Sequence, residues 1–216
     1  MNNDGFNDVI VGAYGGYGQA FLYIGGVDTS NGGNPLKRLY LKALIEGFYN
    51  AGTSLLIADT VRVYLHRSSP PYNITDSGKA KLDSNGNADF IFRNISGSTN
   101  YYVHLNHRNS VETWSDSARS FAGNALELDF TVSASRAFGN NMIMVDASPV
   151  RFAVYGGDVN QDGTVDATDV SAIDNDASNF VSGYVVTDLT GDNFVDGTDF
   201  AIADNNAANF VSVISP

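Results

Sequence analysis

The residues best suited to chemistry lie close together near the C-terminus. Asp158, Asn160 and Asp162 stand at positions 1, 3 and 5 of a twelve-residue stretch, and Gly163 at position 6 permits a sharp turn. Thr164 at position 7 offers a backbone carbonyl, and Val165 at position 8 can anchor a small core. Asp166 at position 9 can act through a water, and Asp169 at position 12 closes the cage. Calcium takes about six to eight hard oxygen ligands in a flexible geometry, and this spacing gathers such oxygens around one point. The bland alternative is a loop of Asx turns without metal; the regularity of the spacing favours calcium. A second stretch repeats the design. Asp188, Asp192, Asp196 and Asp199 hold positions 1, 5, 9 and 12, with Thr190 at position 3 and Phe194 supplying the carbonyl at position 7. Asn193 replaces the glycine at position 6, a residue that tolerates positive φ better than most. Two Ca2+ ions are expected, the second held less tightly.

Charge supports this reading. Residues 156–216 hold 11 Asp and no Lys or Arg, so nearly all of the chain's formal charge of −12 sits there. Such a segment repels nucleic acid. It also carries regularly spaced Val, Ile and Phe, and a segment that is both acidic and core-forming implies bound cations that permit folding. A shift of 30 residues overlays it on itself: Asp158 falls on Asp188, Asp169 on Asp199, and Asn179-Phe180-Val181-Ser182 on Asn209-Phe210-Val211-Ser212. That is a tandem duplication.

The stretches GDVNQDGTVDATD and TDLTGDNFVDGTD resemble the type I dockerin module of bacterial cellulosomal proteins, over residues 156–216. The resemblance implies that each calcium loop leads into a helix, near 167–178 and 197–208. Val170, Ile173 and Ala177 would form the inner stripe of the first helix, and Phe200, Ala203 and Ala207 that of the second. It also implies a cohesin-like protein partner chosen through positions 10 and 11, here Ala167-Thr168 and Gly197-Thr198. The alternative is another protein partner, or packing of the module on its own neighbour within the chain.

The elements that must position these loops lie upstream. From residue 35 to 155 the apolar pattern is mainly of period two, as in Val61, Val63 and Leu65, or Tyr101, Val103, Leu105 and His107. Further strands fit 39–48, 79–83, 125–133, 141–146 and 150–155, with Ser69-Pro70-Pro71 and Ser84-Asn85-Gly86-Asn87 among the turns. The fold class is therefore mainly β with a small α C-terminal module: an immunoglobulin-like or transthyretin-like β-sandwich followed by two calcium loop-helix motifs. This part resembles a module found beside dockerin-like ends in secreted proteins of Bacteroidetes-type bacteria. Its His107-Arg108-Asn109 stretch is either a recognition patch or a strand end that satisfies nearby backbone. His66, His104 and His107 do not favour zinc, because His104 and His107 point to opposite faces. Residues 1–34 resemble an FG-GAP blade fragment, a hairpin whose apolar edges need a partner, either the sandwich or a second chain.

Several classes fall away. There is no Cys, so neither a disulfide nor a thiolate site can form. No apolar run is long enough to span a membrane. No nucleophile elbow, phosphate loop or placed carboxylate pair suggests an enzyme. The leading expectation is a non-catalytic, calcium-binding assembly module from the end of a larger secreted or cell-surface bacterial protein, with the targeting segment upstream and a polysaccharide-degrading system as the expected setting of the parent. The alternative is a carbohydrate-binding sandwich with a dockerin-like attachment domain, in which exposed Trp114, Tyr101 and Tyr102 would stack on a glycan.

Overall fold

The computed structural model describes residues 35–216. The expectations for residues 1–34, the hairpin and its packing on the sandwich or on a second chain, fall outside the described residues.

The period-two stretches become strands with one face in a core. β4 (Thr60–Arg67) buries Val61, Val63 and Leu65, and β7 (Tyr101–His107) buries Tyr101, Val103, Leu105 and His107. The two pair antiparallel, with Val63 opposite Leu105. β5 (Ile74–Lys81) and β8 (Thr113–Trp114) complete a four-stranded sheet in the order β5-β4-β7-β8. β1 (Lys37–Lys42), β6 (Asn87–Phe92) and β9 (Ala125–Asp129) form a second sheet in the order β6-β1-β9, antiparallel on one side of β1 and parallel on the other. Leu39, Leu41, Phe90, Phe92 and Leu128 from this sheet share one continuous core with the inward residues of the first. Each such side chain contributes about 1.5–3 kcal/mol when fully buried. Short hairpins of β2 (Tyr49–Asn50) with β3 (Leu55–Leu56) and β10 (Ile143–Ala147) with β11 (Val150–Ala153) lie beside the sheets.

Two strand expectations need correction. The stretch 39–48 is not one strand: β1 ends at Lys42, and the chain turns at Gly47, whose φ is +81°. A Cβ on Gly47 would collide with the Leu189 carbonyl, so the turn answers to a contact far along the chain. The expected strand at 79–83 starts earlier, at Ile74. Asp76-Ser77-Gly78 reads locally as a turn but is held extended by pairing with Leu65, Tyr64 and Val63.

The C-terminal segment supplies two helices, α1 (Ala167–Ser178) and α2 (Gly197–Ala208), at the expected bounds. Asp166 and Asp196 are their N-caps, each closing a capping box with Asp169 or Asp199 three residues on. Ile173 and Ala203 are fully buried between the helices with Leu189 and Val195, flanked by Val170, Ala177 and Phe200. A third cluster of Val111, Val165 and Val211 joins this segment to the sheets.

Candidate metal centres

Both loops are tight cages with the same internal frame. In the first, Asp158 and Asp169 have no exposed surface. Asp158 accepts from the backbone N–H of Asp162 and of Gly163, each at 3.1 Å. Asp169 accepts from the N–H of Val159 (2.9 Å), Asn160 (3.2 Å) and Asp166 (3.1 Å). The second loop repeats the three donors to position 12 and the position-6 donor to position 1, but its other position-1 donor is residue 4 of the loop rather than residue 5. Asp188 accepts from Gly191 (2.7 Å) and Asn193 (3.2 Å), and Asp199 from Leu189 (2.7 Å), Thr190 (2.9 Å) and Asp196 (2.9 Å). The carboxylates at positions 1 and 12 are thus fixed by the loop's own backbone before any ligand is considered. Position 6 has φ of +91° at Gly163 and +71° at Asn193, so asparagine does serve in glycine's place. Position 4 also needs positive φ, at Gln161 and Gly191, which the spacing argument missed.

The electrostatics of the first loop call for a cation. Burial pushes Asp158 up to about 6; the Gly163 N–H opposes this, and the charges of Asp169 and Asp162 add to it. Burial raises Asp199 as well. Carboxylates packed together and desolvated favour protonation unless a positive charge joins them. The oxygens are all hard, which suits calcium rather than a softer metal. The candidate donor set mixes carboxylates with amide, hydroxyl and carbonyl oxygens; among the described residues no three His, Cys, Asp or Glu side chains are grouped so as to hold a metal ion by themselves. Asp162 and Asp192 turn toward the N–H of Thr164 and Phe194 at 3.0 and 2.9 Å, and Asp166 and Asp196 toward Thr168 and Thr198 at 2.7 Å. All four are exposed at the loop rim, as are Asn160 and Thr164, with Thr190 half-buried. Ala167, Thr168, Gly197 and Thr198 are exposed at the two helix starts.

Residues 156–206 match the family model of the dockerin type I domain. No curated protein matches the chain. The match supports a dockerin module in this part, a kind of domain associated with calcium binding and protein–protein interaction rather than catalysis. No helix among the described residues is long and apolar enough to cross a membrane.

The dockerin-like segment is seated on the sheets through the stretch that sequence reading left open between recognition and structure. His107 and Arg108 both reach Asp59, at 3.2 and 3.0 Å, and Tyr184 donates to the same carboxylate at 2.7 Å. Burial acts to raise Asp59, but the hydrogen bonds from His107, Tyr184 and Arg108 outweigh it and hold this carboxyl well below the usual range. The Arg108 guanidinium lies 4.4 Å from the Tyr184 ring centre and 5.4 Å from that of Phe48, and 3.7 Å from the Asp188 carboxylate. Asn109 donates to the Asp188 carbonyl at 2.8 Å. The first loop receives only neutral partners: Gln161 donates to the Ser110 carbonyl (3.2 Å) and accepts from Asn106 (2.7 Å). Asn206 on α2 donates to Glu46 (2.6 Å) and to the Gly156 carbonyl (2.9 Å). The signal for Asn206 was present in the repeat, where it replaces Asp176 of the first copy.

The glycan platform is corrected. Trp114 and Tyr101 are buried, at 8% and 4% exposure, and Tyr102 is half-buried. Trp114 is covered by His66 and stacks on His104, with ring centres 4.2 and 4.9 Å away. The histidines fall as parity requires: His104 pairs with His66 on the outer face (3.1 Å), while His107 faces Phe48 and Asp59.

Proposed function

We propose that residues 156–216 bind two Ca2+ ions and act as a protein-docking module held in a fixed pose by the β-sandwich of residues 35–155. The first ion would be held by Asp158, Asn160, Asp162, the Thr164 carbonyl, Asp166 and Asp169. The second would be held by Asp188, Thr190, Asp192, the Phe194 carbonyl, Asp196 and Asp199. The observation that carries this reading is the duplicated frame, in which the buried position-12 carboxylate takes the same three backbone donors in both loops and the buried position-1 carboxylate shares the position-6 donor. A cohesin-type partner would read the exposed positions Ala167, Thr168, Gly197 and Thr198. The sheets, with no dockerin character of their own, would serve as an immunoglobulin-like or transthyretin-like scaffold. The setting would be extracellular or at the cell surface, where calcium is abundant enough to fill modest sites. A place in a polysaccharide-degrading assembly fits a module of this kind.

Calorimetric titration with calcium tests the reading. Two binding events are expected from the whole chain, with one lost in Asp158→Ala and the other in Asp188→Ala. A chain that takes up no calcium, or keeps its melting point in excess chelator, overturns it.

A further inference from the structure

The two copies of the repeat do not present the same surface. A groove of about 620 Å³ lies between the start of α1 and the end of α2, floored by Val165, Val170, Ala207 and Phe210. Its lining comes from both copies: under the 30-residue shift the first-copy residues Thr164 and Val170 correspond to Phe194 and Phe200, while Asp204, Ala207, Phe210 and Ser212 correspond to Asp174, Ala177, Phe180 and Ser182. Two aromatic rings therefore stand in the second copy where the first has a hydroxyl and an isopropyl group. Phe200 packs into the inter-helix core, while Phe194 is 63% exposed. Phe210, which the second copy contributes to the groove, is 86% exposed, as its counterpart Phe180 is at 88%, and Asp166 and Asp204 are among the lining residues.

We infer that this groove is the anchor pocket of the docking surface, taking one aliphatic side chain of a partner protein flanked by Lys or Arg. The proposal rests on the assembly reading above and adds to it the groove used and the chemistry of what enters. An apolar floor beside carboxylates suits an apolar anchor with basic neighbours. The charge decides between occupants. The surrounding segment has 11 Asp and no basic residue, so two bound calcium ions still leave it negative, and a second copy of the same segment would meet like charge. A basic partner meets attraction instead. The groove's place beside Ala167 puts the anchor next to a position the module presents for recognition.

The test uses the whole chain saturated with calcium and a defined probe, an acetylated and amidated peptide of one leucine between two pairs of lysines, followed by amide NMR. Saturable shifts are expected at Val165, Ala167, Val170 and Ala207, lost when the leucine is replaced by alanine or the lysines by glutamate. Val170→Phe, which copies the second repeat, should weaken binding by roughly tenfold or more. Phe210→Ser, at an exposed position, should weaken it without touching the core. Equal binding by the alanine peptide, or by both variants, overturns the pocket. Calcium-dependent dimers in sedimentation that Phe210→Ser abolishes would show a second copy in the groove and overturn the basic partner. Calcium calorimetry on the same samples separates the two claims: metal uptake without peptide binding sinks the groove alone, and absent metal uptake sinks the assembly reading.

Discussion

The two loops share one frame and differ in what surrounds them. Loop 1 keeps its negative charge to itself: its links to the sheets run through Gln161, Asn106 and Ser110, all neutral. Loop 2 is touched by a guanidinium, clamped by Asn109, and abutted by Phe48, whose ring leaves no room for a Cβ on Gly191. A buried cation near position 1 does part of what a metal does, so loop 2 is the structural anchor and loop 1 the more metal-dependent cage. It also competes with calcium for Asp188, which gives the weaker second site expected from Thr190 and Asn193 a second physical cause. Duplication supplied two matching loops, and contact with the sheets made their surroundings unequal.

Removing calcium should separate the loops most. A site filled at a hundred times its dissociation constant stabilises the fold by about 2.7 kcal/mol, so chelation should lower the melting point by many degrees. Hydrogen exchange in chelator should open the Val159–Gly163 amides before those of Leu189–Asn193. The reverse order would break the comparison. Arg108→Ala should come next. It leaves Asp59 with fewer partners and Asp188 without its cation, at a cost of roughly 3 kcal/mol, and it should make loop 2 as labile in chelator as loop 1. An unchanged exchange pattern would assign the anchoring elsewhere.

Asn206→Asp, which restores the repeat, should cost about 2 kcal/mol, because it sets a second carboxylate against half-buried Glu46 and removes a donor from the Gly156 carbonyl. Asp176→Asn, the mirror change, leaves an amide oxygen to accept from the Thr187 hydroxyl in place of the carboxylate and should cost no more than about 1 kcal/mol in urea melts. Equal costs would mean that the sheets do not distinguish the copies. The smallest effect near neutrality is that of acid. Asp59 titrates below its unfolded value, so its contribution is full above about pH 4 and is lost as pH falls further. Asp59→Asn should flatten that part of the stability-versus-pH curve, and an unaltered curve would remove Asp59 from the joint.

The helices and loops were readable because their information is local. Caps, the 3.6-residue stripe and the twelve-residue spacing each lie within a few turns of chain, and α1 and α2 start where Asp166 and Asp196 say they should. Most strands were readable from period two, but the break at Gly47 and the early start of β5 were not, since each depends on a contact with a distant segment. Trp114 shows the same limit: its type suggested a stacking platform, and only the packing of His66 and His104 against it reveals burial.

By itself, then, the sequence determined the duplicated loops, their oxygen-rich composition and excess of negative charge, and the alternation that builds the sheets. Tertiary structure alone decided that Arg108, Asn109 and Asn206 join those sheets to the second copy while Gln161 reaches them from the first. The reason is physical: ligand spacing and periodicity are properties of neighbouring residues, whereas Asp59 meeting Tyr184, or Glu46 meeting Asn206, spans more than a hundred residues and leaves no trace in local pattern.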